Sequence, residues 1–117
     1  MSNPNIKAAS AITAFNAPVW VGTTYAAVVS NATTSNALQK ISSVHICNIT
    51  AATSCAVTVA LSNGTTYYHV VAGQAVTASV QPVTRNTPIY LEEGDSICIY
   101  AATSGHLQAV FNYEQVQ

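Results

Sequence analysis

The stretch Ser43-Val44-His45-Ile46-Cys47-Asn48-Ile49 alternates between two faces: Val44 and Ile46 point one way, and His45, Cys47 and Ile49 the other. A period of two marks a half-buried strand, because successive side chains leave opposite faces of an extended backbone. Downstream the pattern repeats. Cys55, Val57, Val59 and Leu61 share a face opposite Ala56, Thr58 and Ala60. Ile97 and Ile99 oppose Cys98 and Tyr100, while Leu107, Ala109, Phe111 and Tyr113 oppose Gln108, Val110 and Asn112.

Between these runs lie turn signals such as Asn63-Gly64, Ala72-Gly73, Glu93-Gly94-Asp95 and Ser104-Gly105, together with a loop from Pro82 to Pro88. Gly, Asn and Asp tolerate the backbone angles that turns require. The spacing predicts strands over 12–20, 24–30, 40–49, 55–61, 66–71, 75–81, 88–92, 96–102 and 106–114. The best helix candidate, Ala32 to Lys40, is poor, because Thr33, Thr34, Ser35 and Asn36 compete for their own backbone. The expected class is all-β: an antiparallel β-sandwich or jelly roll of eight or nine short strands, with a closed barrel as the alternative. Residues 1–11 carry little strand pattern and read as an N-terminal arm before a single domain over 12–117. Ala51-Ala52-Thr53-Ser54 and Ala101-Ala102-Thr103-Ser104 echo each other, as two hairpins with similar turns would.

The 117 residues are half hydrophobic, yet only 6% are charged, against about 25% in an ordinary soluble protein. Burying such a surface against a partner strips few charges of water, so the largest cost of association is mostly absent. Only two lysines are available to guard open sheet edges, another feature of a chain packed among neighbours. A net charge of −1 and no basic run argue against a nucleic-acid partner. Interrupted, short apolar stretches argue against a membrane one. The opening Met1 to Lys7 lacks the order of a signal peptide, so synthesis in a cytoplasm is expected.

In that compartment Cys47, Cys55 and Cys98, an odd set without a CxxC pair, are expected to be free, buried thiols. The sequons at Asn31, Asn48 and Asn63 read as chance products of a Thr- and Asn-rich chain.

No set of side chains meets the needs of catalysis, so the chain reads as a non-enzyme with no metal and no cofactor. Glu92, Glu93 and Asp95 surround Gly94 in what reads as a tight turn with its charges in water, a weak calcium loop being the alternative. His45 and Cys47 share a strand face without a zinc motif. The candidate interface residues are Trp20, Tyr25, Arg85 and Tyr113. Trp20 is expected to cap the core at the end of the first strand, or else to stand exposed as an anchor. Arg85 is expected in a loop between Pro82 and Pro88.

The segment Asn86-Thr-Pro-Ile-Tyr-Leu-Glu-Glu-Gly-Asp-Ser-Ile-Cys-Ile-Tyr-Ala101 resembles the TPI-x-L-x-x-GD-x-I strand–turn–strand of small β-sandwich virion structural proteins of tailed bacteriophages. The wider layout over residues 20–114 resembles them too. The resemblance implies a capsid decoration (cement) protein that binds the assembled head and stabilises it. The alternatives are a neck, tail or fibre component, or a sugar- or receptor-binding module using Tyr25, Tyr67, Tyr68, Tyr90 and Tyr100 as stacking faces. The implied partners are copies of itself, often as a trimer, and other virion proteins such as the major capsid protein. The implied location is the virion.

Overall fold

The computed structural model describes residues 11–50, 53–77, 83–85 and 88–117, with backbone alone for 83–85. Nine strands form among them: β1 (Ile12–Trp20), β2 (Ala26–Ser30), β3 (Leu38–Asn48), β4 (Cys55–Ser62), β5 (Tyr67–Val76), β6 (Val83–Arg85), β7 (Ile89–Leu91), β8 (Ser96–Ala101) and β9 (Leu107–Val116). All pairings are antiparallel. One sheet runs β1-β9-β3-β6, with β7 also on β3; the other runs β2-β8-β4-β5. β6 pairs with Val44 to Ile46 and β7 with Gln39 to Ile41, so the two short strands follow one another along a single edge of β3.

The alternating residues explain how the sheets meet. Ile41, Val44 and Ile46 of β3 and Leu107, Ala109 and Phe111 of β9 bury against Val57 and Val59 of β4 and Ile97 and Ile99 of β8. Ile41 and Val44 are three apart and would face opposite ways on a regular strand. A register shift against β9 between Ile41 and Ser43 makes Ser42 an extra residue and returns both to the core. Phe111, fully buried, is the largest of these side chains. Truncating it to alanine is expected to cost about 3–5 kcal/mol.

As the poor helix pattern at Ala32 to Lys40 leads one to expect, no helix forms among the described residues; residues 32–37 are loop and β3 begins at Leu38. The structure departs from the sequence reading in three places. The turn expected at Ala72-Gly73 is instead a bulge inside one strand, β5, where Gly73 takes a φ of 62°. Arg85 lies not in a loop but in β6, opposite Val44. The two Ala-Ala-Thr-Ser segments are not hairpin turns. The first joins β3 to β4 and the second β8 to β9, so both connections cross between sheets. The second segment lies beside the start of β4, where the Cys55 thiol donates to the Thr103 carbonyl at 3.7 Å and the Ala102 amide to the Ala56 carbonyl at 2.9 Å; Ala51 and Ala52 lie outside the described residues.

Two asparagines, buried Asn48 and exposed Asn63, shape the loops that hold them. Asn48 donates to the carbonyls of Thr53 at 2.7 Å and Val76 at 3.0 Å, while its Oδ1 accepts the Thr50 amide at 2.9 Å and hydroxyl at 2.7 Å. Asn63 Oδ1 accepts the Thr65 amide and hydroxyl in the same way, at 3.1 and 3.0 Å. At both sites an Asn-x-Thr triplet is a turn whose Asn and Thr satisfy each other. These two Asn-x-Thr triplets thus have a structural role as turns.

Candidate interaction surface

The strand register places the outward side chains of the first sheet in rows. Trp20, Gln108 and Cys47 stand in one row across β1, β9 and β3; Pro18, Val110 and His45 stand in the next. Ile49 continues beyond Cys47, its amide donating to the His106 carbonyl at 2.9 Å. Neighbouring strands lie about 4.8 Å apart, so Trp20 and Cys47 are roughly 10 Å from one another. Trp20 is 59% exposed, Ile49 45% and Val110 37%. Trp20 therefore does not cap the core.

This half of the face holds no Lys, Arg, Asp or Glu among the described residues. The charged positions, Lys40 and Glu114, oppose each other in register toward the Ile12 end of β1. An uncharged surface with an exposed aromatic side chain, here at the end of edge strand β1, matches the composition of a protein–protein interface core, where charge is depleted and Trp enriched.

The second sheet is different on its outer side. Cys98 and Ala60 are cross-strand partners, both outside the core cluster and yet buried. Over these small residues lies an aromatic cluster. Tyr25 stacks on Tyr67 with centroids 4.1 Å apart, meets Tyr100 edge-on at 4.6 Å, and shares a 3.2 Å hydrogen bond with His69 Nε2. Desolvation by this packing raises the Tyr25 pKa, helped by the adjacent Tyr100, Tyr67 and Cys98 groups, whose ionisation would set like charge beside it. Because Tyr25 and Tyr67 cover each other, they do not offer a paired platform to a sugar ring.

The four predicted interface residues do not converge. Trp20 stands on the outer face of the first sheet and Tyr25 on that of the second. Tyr113 packs at the core's margin, stacked on its cross-strand partner Phe15 with centroids 5.1 Å apart. Arg85 occupies β6, and its side chain lies outside the description. Trp20's neighbours on this face, Pro18, Val110, Cys47 and Ile49, are not among the interface candidates the sequence suggests. Each stood on a recognisable outward position, but the pairing that joins them was not readable along the chain.

Two further expectations need correction. Cys47 is exposed, while Cys55 and Cys98 are buried; all three are free. Glu93 is 5% exposed, not a charge in water. The Asn36 amide, from a residue with a φ of 51°, donates to its carboxylate at 3.3 Å. Asp95 Oδ2 accepts the Glu92 amide at 3.0 Å, closing the turn. Among the described residues no group of three or more His, Cys, Asp or Glu could hold a metal ion.

What the fold and this surface define is an antiparallel β-sandwich with one outer face half free of charge among the described residues. No protein-family model matches the sequence, and no curated protein matches it. Solved structures do match. A chain from the pili of Bacillus endospore appendages, described as a family of disulfide-linked pili, superimposes with a TM-score of 0.54 at 15% identity, over 91% of this chain and 85% of that one. A chain from the acid-stable capsid of Helicobacter pylori bacteriophage KHP30 superimposes with a TM-score of 0.57 at 10% identity, over 93% of this chain and 90% of that one. At these identities the likeness is one of fold.

Proposed function

We propose that this chain is a non-enzymatic structural protein of a phage particle, and that it decorates the assembled head as a cement protein. The observation that carries the reading is the Trp20 face, exposed, apolar and uncharged on a domain with so few charges elsewhere. The fold shared with a phage capsid chain supports it, as does the 86–99 segment. The order of strands also fits. Successive strands alternate between sheets except at β4–β5 and at β6–β7, which share one position on β3. That is the winding of a jelly roll, a form used by viral capsid domains.

In this reading residues 12–117 are the folded unit and residues 1–11 an arm to a neighbour; all of the arm but Ala11 lies outside the described residues. Trp20 is the anchor of the contact, and the partners are further copies of the chain and the major capsid protein. A neck, tail or fibre role is the second reading, supported by the fold shared with a pilus chain. Adding purified chain to particles that lack it separates the two. Decoration predicts saturable binding over the whole shell and heads that survive more heating. Binding confined to one vertex or to the tail supports the second reading, and no binding contradicts both.

A further inference from the structure

The hydrogen-bonding phase of β1 can be read from its ends. Ala11 and Gln117 exchange both main-chain bonds, at 3.2 and 3.0 Å, and the Val21 amide donates to the Leu107 carbonyl at 3.0 Å. Between them the register runs without a break from Ile12 opposite Val116 to Trp20 opposite Gln108. In an antiparallel ladder alternate residues bond to the neighbour. Thr13, Phe15, Ala17 and Val19 therefore face β9, and the N–H and C=O groups of Ile12, Ala14 and Asn16 face the open edge. Pro18 has the same phase but no N–H, so it ends the stretch that can donate.

The other edges carry the usual guards against pairing. β2 is five residues long with a shift between Ala27 and Val29. β6 and β7 are three residues each. β5 is interrupted by two register shifts, one of them the Gly73 bulge. Among the described residues only β1 offers an unbroken edge, and over Ile12 to Ala17 it holds no charge and no proline. It also exposes two large apolar side chains, Ile12 at 62% and Phe15 at 41%.

We propose that the open edge of β1 pairs antiparallel with β1 of a second copy, across a two-fold axis at Ala14. This rests on the self-association in the function proposed above and names the surface that performs it. Ala14 faces Ala14 of the second copy, Ile12 faces its Asn16, and Asn16 its Ile12, so each free donor finds an acceptor. Sliding the register toward Pro18 places the proline opposite Ile12 and leaves the Ile12 carbonyl without an N–H. Ala14 is exposed and small, so two copies meet at the axis without a clash. An uncharged strand also has nothing to repel its own image, as like charges directly opposite would. Thr13 falls opposite Phe15 of the second copy, so pairing covers an exposed ring. A self-complementary patch of this kind is what a two-fold contact requires.

Light scattering on the full chain should return twice its 12.2 kDa mass. Ala14→Lys places a charge at the axis without touching the monomer's interior. It should halve the observed mass and leave the circular dichroism spectrum unchanged. In a Cys47→Ser background, Ala14→Cys should yield a covalent dimer on mild oxidation, which tests the register independently of that variant's folding. A monomeric parent chain, or an oligomer that Ala14→Lys leaves intact while Ala14→Cys fails to cross-link, would overturn the pairing. If such a monomer is still found in purified particles, only the pairing falls; absence from particles defeats the functional reading itself.

Discussion

The side-chain amide of Asn31 donates to the main-chain carbonyl of Leu91 at 2.9 Å, joining the end of β2 to the end of β7. The same amide donates to the Ala37 carbonyl at 2.9 Å, and Asn31 Oδ1 accepts the Ser35 hydroxyl. Around it the Asn31 main chain exchanges bonds with the acidic turn, from Gly94 at 2.8 Å and to Asp95 at 2.9 Å. One buried side chain thus ties the 31–37 loop to the 91–95 turn.

Asn31→Ala strands buried carbonyls on both segments. Each costs roughly 1–3 kcal/mol, so chemical denaturation should show a loss of about 2–4 kcal/mol. A loss below about 0.5 kcal/mol, the range of surface substitutions, would mean that Asn31 is not the link.

Gly73 holds a φ of 62°, with open space where a Cβ would lie, and its amide donates to Thr58 Oγ1 at 3.1 Å. Gly73→Ala should therefore cost only the left-handed backbone penalty, about 1–2 kcal/mol. Gly73→Asn should cost less, since asparagine tolerates that region. Equal losses for both would place the cost elsewhere.

Cys47 is exposed and Cys55 and Cys98 are buried. A thiol reagent should modify one cysteine in the folded chain and all three in denaturant. Rapid native labelling of all three would contradict the burial of Cys98 beneath the tyrosine cluster.

The raised pKa of Tyr25 makes stability depend on alkaline pH. The folded state disfavours the phenolate more than the unfolded chain does. The contribution is therefore intact below the ordinary phenol range, about pH 10, and is lost as pH climbs through the elevated value. Tyr25→Phe should flatten the fall in denaturation midpoint over this interval. An unchanged slope would assign the alkaline loss to other groups.

Alternation alone located β1 at its observed bounds and β4, β8 and β9 within a few residues, because one face of each is buried and the other is not. Residues 66–76 read as one strand over 66–71 and the start of another over 75–81, because a glycine that turns a chain back and a glycine that bulges a strand look alike in sequence; residues 78–81 of that second strand lie outside the described residues. The polar run Thr33 to Asn36 made Ala32 to Lys40 a poor helix, and a loop forms there; what the chain did not display is that this loop serves the Asn31 hub, a contact made 60 positions away. Glu93 was misplaced for the same reason: what buries it is the distant Asn36 segment. Trp20 was visible as a candidate, but its row with Gln108 and Cys47 exists only once β1, β9 and β3 are paired.

The central claim, that many copies of this chain serve in a phage particle, is tested most directly by quantitative mass spectrometry of purified particles. The account predicts that the chain copurifies in fixed proportion to the major capsid protein, at hundreds of copies if it decorates the head and a dozen or fewer if it belongs to neck, tail or fibre. Its absence from purified particles, with the chain recovered only in the soluble fraction of the lysate, would contradict the account.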